Sequence, residues 1–100
     1  MQVQKNQSIN FGASSLVSGV SENLGKKIIN ILNSCGDDSF VHSVTGGQKT
    51  LKLQTMRTDF SGIESAELVI RPEKGEENLV DGLKTLAKSF VNYLSSKKIS

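Results

Sequence analysis

The sequence is poor in the residues that mark several specialised kinds of fold. Its 100 residues include one cysteine, one proline, no tryptophan and five aromatic side chains. Because Cys35 is the single cysteine, an intramolecular disulfide is excluded, and a free thiol is typical of a reducing cytoplasm. No stretch is apolar enough to predict a membrane span, and Met1 to Lys5 lacks the apolar run of a signal peptide. We therefore expect a cytoplasmic protein, with export without a cleaved signal peptide as the alternative.

Composition bounds the size and the class of the protein. Hydrophobic residues make up 36% of the chain and charged residues 22%, with a formal net charge of +2. This composition is typical of a lean globular domain, and its excess of positive charge is far below that of a nucleic-acid-binding tail. We interpret residues 1–12 as a polar leader or a short edge strand over Ser8 to Phe11, and residues 13–100 as a single α+β domain.

Two stretches have the apolar spacing of an amphipathic helix. From Glu76 to Lys98, apolar residues recur every three or four positions, which predicts a long helix with one apolar side. A similar stripe predicts a first helix over Ala13 to Cys35. Two internal glycines in that helix indicate a late start, near Ser18 or Ser21, or a close approach to a neighbouring element.

The middle of the chain has the alternation of apolar and polar residues that is typical of β-strands. Phe40 to Val44 and Lys49 to Thr58 predict two strands joined in a hairpin. Ile63 to Arg71 predicts a third strand, and Pro72 ends it because proline cannot donate to the hydrogen-bond ladder.

The order of these elements predicts an α+β fold, written (β)αβββα. We expect an antiparallel meander of three strands, or of four if the leader adds one, with two helices packed on one face. Leu51, Leu53, Leu68 and Ile70 are expected to line the face beneath the helices. The other face of the sheet would meet solvent or a partner.

Cys35 and His42 are the residue types that a thiol enzyme needs. However, Cys35 falls at the C-terminal end of a predicted helix, where the helix dipole disfavours a thiolate. We interpret Cys35 as a buried structural thiol and His42 as a packed or edge imidazole. Asp37 and Asp38 are interpreted as turn residues, since this set of side chains matches no zinc-binding spacing. We therefore predict no catalytic residue, no metal site and no cofactor.

The stretch Gly46-Gly47-Gln48-Lys49 places a glycine pair before a lysine, as some phosphate-binding loops do. Such a loop needs a longer glycine-spaced motif and a helix after it, and here a strand follows. The pair instead predicts a hairpin turn, in which glycine allows positive φ at both turn centres.

Basic residues are spread over the predicted strands and helices. Five of them form our candidate interaction surface: Lys49, Lys52, Arg57, Lys84 and Lys88. The element order resembles that of αβββα double-stranded-RNA-binding modules and of the βαβββα proteins that bind idle ribosomes. This resemblance lies in the order of elements alone and implies binding to structured RNA. Against it, no exposed aromatic pair for base stacking is evident on a strand, and acidic residues nearly balance the basic ones.

We interpret the chain as a small non-catalytic protein-binding module, such as an adaptor, inhibitor, chaperone-like or regulatory protein. It would act through a protein–protein surface, and its partner would be another protein or a second copy in a homodimer. The alternative is a structured-RNA or ribosome-binding protein that uses the basic residues of its helices and strands. We expect neither a membrane nor a small-molecule cofactor among its partners.

Overall fold

The structure, a computed structural model, describes residues 13–59 and 62–96. The predicted edge strand within residues 1–12 and the predicted helix end at residues 97–98 lie outside this range. The described elements follow in the order β1 (Ser14–Ser18), α1 (Glu22–Asn33), β2 (Phe40–Gly46), β3 (Thr50–Arg57), β4 (Gly62–Val69) and α2 (Gly75–Ser96). A short 3-10 turn, Pro72–Lys74, leads into α2.

The four strands form one mixed sheet in the order β1-β2-β3-β4. β1 runs parallel to β2, with Leu16 opposite Ser43, whereas β2–β3 and β3–β4 pair antiparallel. The α+β class and the two antiparallel hairpins are therefore confirmed. The prediction of a purely antiparallel meander was wrong, because a fourth strand, formed by residues 14–18, joins the sheet in the parallel direction.

The prediction of one helix from Ala13 to Cys35 was wrong over its first part. Residues 14–18 are extended, because their backbone pairs with β2 across a connection that contains α1. α1 begins after Ser21, whose side chain accepts a hydrogen bond from the Leu24 amide at 3.3 Å. Ser21 is one of the predicted late starts, and the cap satisfies an amide that the helix leaves without a partner.

Both helices pack against the same face of the sheet. One cluster of buried residues joins them to the central strands: Ile28, Leu32, Cys35, Val44, Leu51, Leu53, Val80, Leu83 and Ala87. Leu51 and Leu53 are fully buried, and Leu68 and Ile70 pack against the cluster from the side of β4. The predicted lining of the helix-facing side is thus confirmed. Each fully buried leucine contributes about 1.5–3 kcal/mol of burial free energy.

The result is a two-layer molecule with extents of 44, 40 and 17 Å. Helices cover one face of the sheet, and among residues 13–59 and 62–96 no helix or strand packs over the other face. Within the same residues, no helix is long and apolar enough to cross a membrane. The uncovered face is the largest feature that the fold leaves available for function.

Candidate functional site

Cys35 and His42 lie next to each other in the core, but their polar atoms serve separate hydrogen bonds. The thiol of Cys35 donates to the carbonyl oxygen of Ile31 at 3.3 Å. The imidazole Nε2 of His42 lies 2.8 Å from the carbonyl oxygen of Cys35, and Nδ1 lies 2.8 Å from Oγ1 of Thr55. A carbonyl oxygen only accepts, so Nε2 carries the proton and Nδ1 accepts from the Thr55 hydroxyl.

This arrangement holds the imidazole in its neutral form. Burial lowers the pKa of His42 below its ordinary value of 6.5, and the hydrogen bond to the carbonyl of Cys35 opposes that shift. Since His42 and Cys35 are both buried, the predictions of a structural thiol and a packed imidazole are confirmed as to position. Together they connect the end of α1 to β2 and β3.

The turn after α1 uses its first aspartate as predicted. Oδ1 of Asp37 accepts a hydrogen bond from the backbone amide of Ser39 at 2.9 Å, and the side chain of Asp38 is exposed. This is the local bonding that favours aspartate in turns. Among the described residues, no three histidine, cysteine or acidic side chains come together in a group that could hold a metal ion.

The glycine pair lies at the β2–β3 hairpin, but its role differs from the prediction. Gly46 belongs to β2, and neither Gly46 nor Gly47 has positive φ. The turn itself begins at Gly47, whose amide donates to the carbonyl oxygen of Thr50 at 2.8 Å. Gly46 is needed instead because a Cβ there would lie 2.2 Å from the carbonyl oxygen of Gly19. The prediction of positive φ at both turn centres was wrong, and close contact between two backbones explains Gly46.

The five basic residues of the candidate interaction surface lie on both layers of the molecule. Lys49 is exposed in the β2–β3 turn, and Lys52 is exposed on the uncovered face of the sheet. Lys84 and Lys88 lie on α2, half-buried and exposed respectively. The structure therefore places Lys52 on the uncovered face, Lys84 and Lys88 on the helical layer and Lys49 in the turn, so the five residues do not form one patch.

Arg57 ties β3 to its neighbours within the fold. Its Nε donates to Oδ1 of Asp59 at 2.6 Å, and Nη2 donates to Oδ2 of the same carboxylate at 3.0 Å. Nη1 donates to the carbonyl oxygen of Leu94, near the end of α2, at 2.7 Å. A charged, bidentate set of bonds of this kind is geometrically specific. In this structure Arg57 holds the sheet against the last turns of α2.

The side of the sheet that faces away from the helices, which we name the open face, is defined by strand register. Its positions alternate with the buried positions of each strand and align in rows across the sheet. One row contains Ser14, Val41, Met56 and Ile63; the next contains Leu16, Ser43, Gln54 and Ser65; the third contains Ser18, Thr45, Lys52 and Glu67, with Thr50 and Val69 at the far end.

Exposed large hydrophobic residues are concentrated on the open face. The described chain exposes five of them, and four lie there: Leu16 at 65%, Met56 at 38%, Ile63 at 55% and Val69 at 58%. The fifth, Tyr93, lies on α2. Single exposed hydrophobic residues are ordinary, but their concentration on one uncovered side is typical of an interaction surface.

Polar side chains lie in the rows next to the row of Val41, Met56 and Ile63. Lys52 is directly opposite Glu67 on the neighbouring strand, and the Thr50 hydroxyl donates to Oε2 of Glu67 at 3.1 Å. Ser43, Gln54 and Ser65 fill the row between the apolar residues and this charged end. The open face is therefore apolar along the row of Val41, Met56 and Ile63 and largely polar beyond it, where Leu16 and Val69 are apolar residues on the two edge strands.

Sequence reasoning missed three residues of the open face. Leu16 was interpreted as part of a helix stripe, so its position on a strand was hidden. Met56 and Ile63 fall on the outward positions of their strands, and the alternation of β3 and β4 is the signal that could have identified them.

Comparison of the chain with protein-family models, with curated proteins and with solved structures finds no match.

Proposed function

We propose that this protein is a small non-catalytic protein-binding module and that the open face is its binding surface. The observation that carries the proposal is the position of Leu16, Met56, Ile63 and Val69 on one uncovered side of a two-layer fold. Apolar side chains left in water at one place favour association with another apolar surface, because the contact removes their area from water.

The positions of the chemically reactive side chains support a role in binding. The thiol of Cys35 and the imidazole of His42 are buried, and each is engaged in hydrogen bonds within the core. A nucleophile or a base must reach its substrate to act. The side chains that reach solvent on the open face are apolar, amide, hydroxyl and charged groups arranged as a surface.

The open face indicates the chemistry of its partner. A complementary surface would place apolar side chains against the row of Val41, Met56 and Ile63, and polar groups against Lys52 and Glu67. Removing the exposed part of each large apolar side chain from water would contribute on the order of 1 kcal/mol. Protein interfaces commonly combine apolar and polar groups in this way.

The proposal is tested with a variant that changes the open face alone. Leu16→Lys/Met56→Lys places two charges in the apolar region, and both positions are exposed, so we expect the fold to be kept. The matched control is Asn92→Lys, which adds a lysine at an exposed position of the helical layer. Each protein is immobilised, and the proteins retained from a lysate of the source cells are quantified by mass spectrometry.

We expect that the wild type and Asn92→Lys retain a set of proteins that the double variant loses. Retention of the same proteins by all three would contradict the proposal. Structured RNA is the competing ligand, and salt separates the two, because binding to phosphate weakens steeply as salt rises. Salt-sensitive RNA retention that is abolished by Lys84→Ala/Lys88→Ala, and is unaffected by the open-face variant, would replace a protein partner by RNA.

A further inference from the structure

The outer edge of β4 is a second surface that the fold leaves open. β4 pairs with β3 along its whole length of eight residues, in unbroken register from Gly62 to Val69. In the part of the chain that the structure describes, no strand pairs with its other side. It contains no proline, lysine or bulge, and of the common devices against edge pairing it carries only the charged side chains of Glu64 and Glu67. The opposite edge strand, β1, has only five residues.

The hydrogen-bonding groups of this edge can be assigned residue by residue. The amide of Ile70 donates to the carbonyl oxygen of Lys49 at 2.7 Å, so those two residues form a hydrogen-bonded pair. Hydrogen-bonded and non-hydrogen-bonded pairs alternate along an antiparallel ladder. Leu68 and the even-numbered residues before it therefore bond to β3. The odd-numbered residues direct their N–H and C=O groups outward: Ile63, Ser65, Glu67 and Val69.

A second copy of the same strand fits these outward groups. With a two-fold axis at Ala66, Ile63 of one copy is opposite Val69 of the other, and Ser65 is opposite Glu67. Every outward-directed residue then faces an outward-directed residue of the other copy, so the ladder continues across the axis. The intervening pairs, on the helix-facing side, are Ala66 with Ala66 and Glu64 with Leu68. On the open face this register forms two Ile–Val contacts, and it places a serine hydroxyl beside a carboxylate.

The two carboxylates of β4 select this register over its neighbours. The side chain of Glu64 lies on the helix-facing side of the sheet, and the side chain of Glu67 lies on the open face. Moving the axis to Glu67 would oppose two carboxylates directly, and moving it to Ser65 would place Ile63 against Glu67. Among these three registers, only the one centred on Ala66 pairs the exposed apolar residues with each other, and it leaves the two Glu67 side chains diagonal to one another, each beside Ser65 of the other copy.

The helical layer supplies further apolar surface along the same edge. α1 borders one side of α2, where Lys27 and Ile31 line a groove with Glu77 and Asp81. The other side lies over β4, since a Cβ at Gly82 would come within 3.1 Å of the Leu68 side chain. Residues spaced three or four positions apart share a helix side. That side of α2 carries Leu79, Leu86, Phe90 and Tyr93, of which Tyr93 is 46% exposed.

We propose that β4 and the adjacent side of α2 form a two-fold interface with a second copy of this chain, giving a continuous eight-stranded sheet. A strand of eight residues is about 27 Å long. With the 17 Å thickness of the molecule, the projected edge is roughly 460 Å² per copy. This is at the lower end of specific interfaces, so dimerisation depends on concentration in the micromolar to millimolar range. In this dimer, the open faces of the two copies would lie side by side and form one continuous surface.

The test measures the mass of the intact chain by sedimentation equilibrium from about 10 µM to about 1 mM. We expect the mass to rise from 10.8 kDa towards twice that value. Ser65→Pro removes only an outward amide, which an edge strand tolerates, and should raise the dissociation constant at least tenfold. Leu16→Lys, on the open face of the other edge strand, is the matched control and should dimerise as the wild type does.

A charge exchange tests the register and does not alter the backbone. Ile63→Lys and Val69→Glu should each weaken the dimer about tenfold, and together they should restore it, because lysine and glutamate then face each other across the axis. A monomer at every concentration would overturn the proposal. So would dimerisation of Ser65→Pro at wild-type strength, or a double variant no stronger than the single ones. Loss of the dimer in Leu16→Lys alone would assign dimerisation to the open face instead.

Discussion

The hydrogen bonds of His42 make a specific prediction about stability and pH. In the folded protein the imidazole is buried and neutral, with Nε2 donating to the Cys35 carbonyl and Nδ1 accepting from Thr55. Protonation would put a second donor at Nδ1 and a charge in the core, so burial lowers the pKa of His42. In the unfolded chain the same side chain titrates near its ordinary value of 6.5.

The sign of the effect follows from proton counting. Below the unfolded pKa the unfolded chain binds a proton that the folded chain does not bind, so acid favours unfolding. The stabilising contribution of neutral His42 is therefore complete above pH 6.5 and is lost as pH falls from there towards the lowered pKa of the folded state. The slope for one group is at most about 1.4 kcal/mol per pH unit.

Urea unfolding between about pH 5.5 and pH 8 measures this slope, in a range above most carboxylate titrations. With a typical urea dependence of about 1–3 kcal/mol per molar, the midpoint should fall as pH drops below 6.5, by at most roughly 0.5–1.4 M per pH unit. His42→Gln provides the matched control: it should be less stable than the wild type, but its midpoint should not change across this range. A wild-type midpoint that is constant, or that rises as pH falls, would refute the reasoning.

Three further predictions concern packing and connections. Gly46→Ala should destabilise the fold by about 2 kcal/mol or more, because its Cβ would overlap backbone at 2.2 Å. Gly47→Ala, where the nearest atom lies at 3.4 Å, should change stability by less than about 1 kcal/mol in the same denaturation assay. The buried thiol of Cys35 should react with a thiol reagent at the rate of unfolding, so immediate labelling of the native protein would contradict its position. Arg57→Ala should cost about 1.5–3 kcal/mol by removing the bond to the Leu94 carbonyl; an unchanged denaturation midpoint would argue against that bond.

The local sequence pattern was sufficient to predict the strands and helices that are long or strongly periodic. Alternating burial in β3 follows directly from Leu51 and Leu53, and α2 extends from Gly75 to Ser96 where its apolar spacing predicted a helix. Both elements bury one side against the other, so their sequence pattern and their tertiary environment agree. The inner lining of the sheet could be predicted for the same reason.

The parallel strand could not be predicted in this way. Leu16, Val20 and Leu24 are spaced four apart, which matches a helix, yet residues 14–18 are extended. What decides the outcome is pairing with β2, a partner nearly thirty positions away in sequence, as Leu16 with Ser43 shows. The contact between Gly19 and Gly46 likewise joins distant residues. Long-range pairing overrides local propensity in a strand of only five residues.

For the five basic residues of the candidate interaction surface, the sequence identified the residue type but not the position in the fold. Charged residues were identifiable by type, but their separation onto two layers depends on the packing of α2 against the sheet. The outward side of the sheet could be predicted from strand alternation, but the contribution of Leu16 could not, because it depends on the pairing of β1 with β2.

The most direct measurement is the accessibility of methyl groups to a soluble paramagnetic probe, recorded by NMR at low protein concentration. We expect strong relaxation of the methyl groups of Leu16 and Met56, which are 65% and 38% exposed, and protection of those of Leu51 and Leu53, which are fully buried. Protection of Leu16 and Met56 to the same degree as the buried leucines would show that the open face is covered, and would contradict its role as the binding surface.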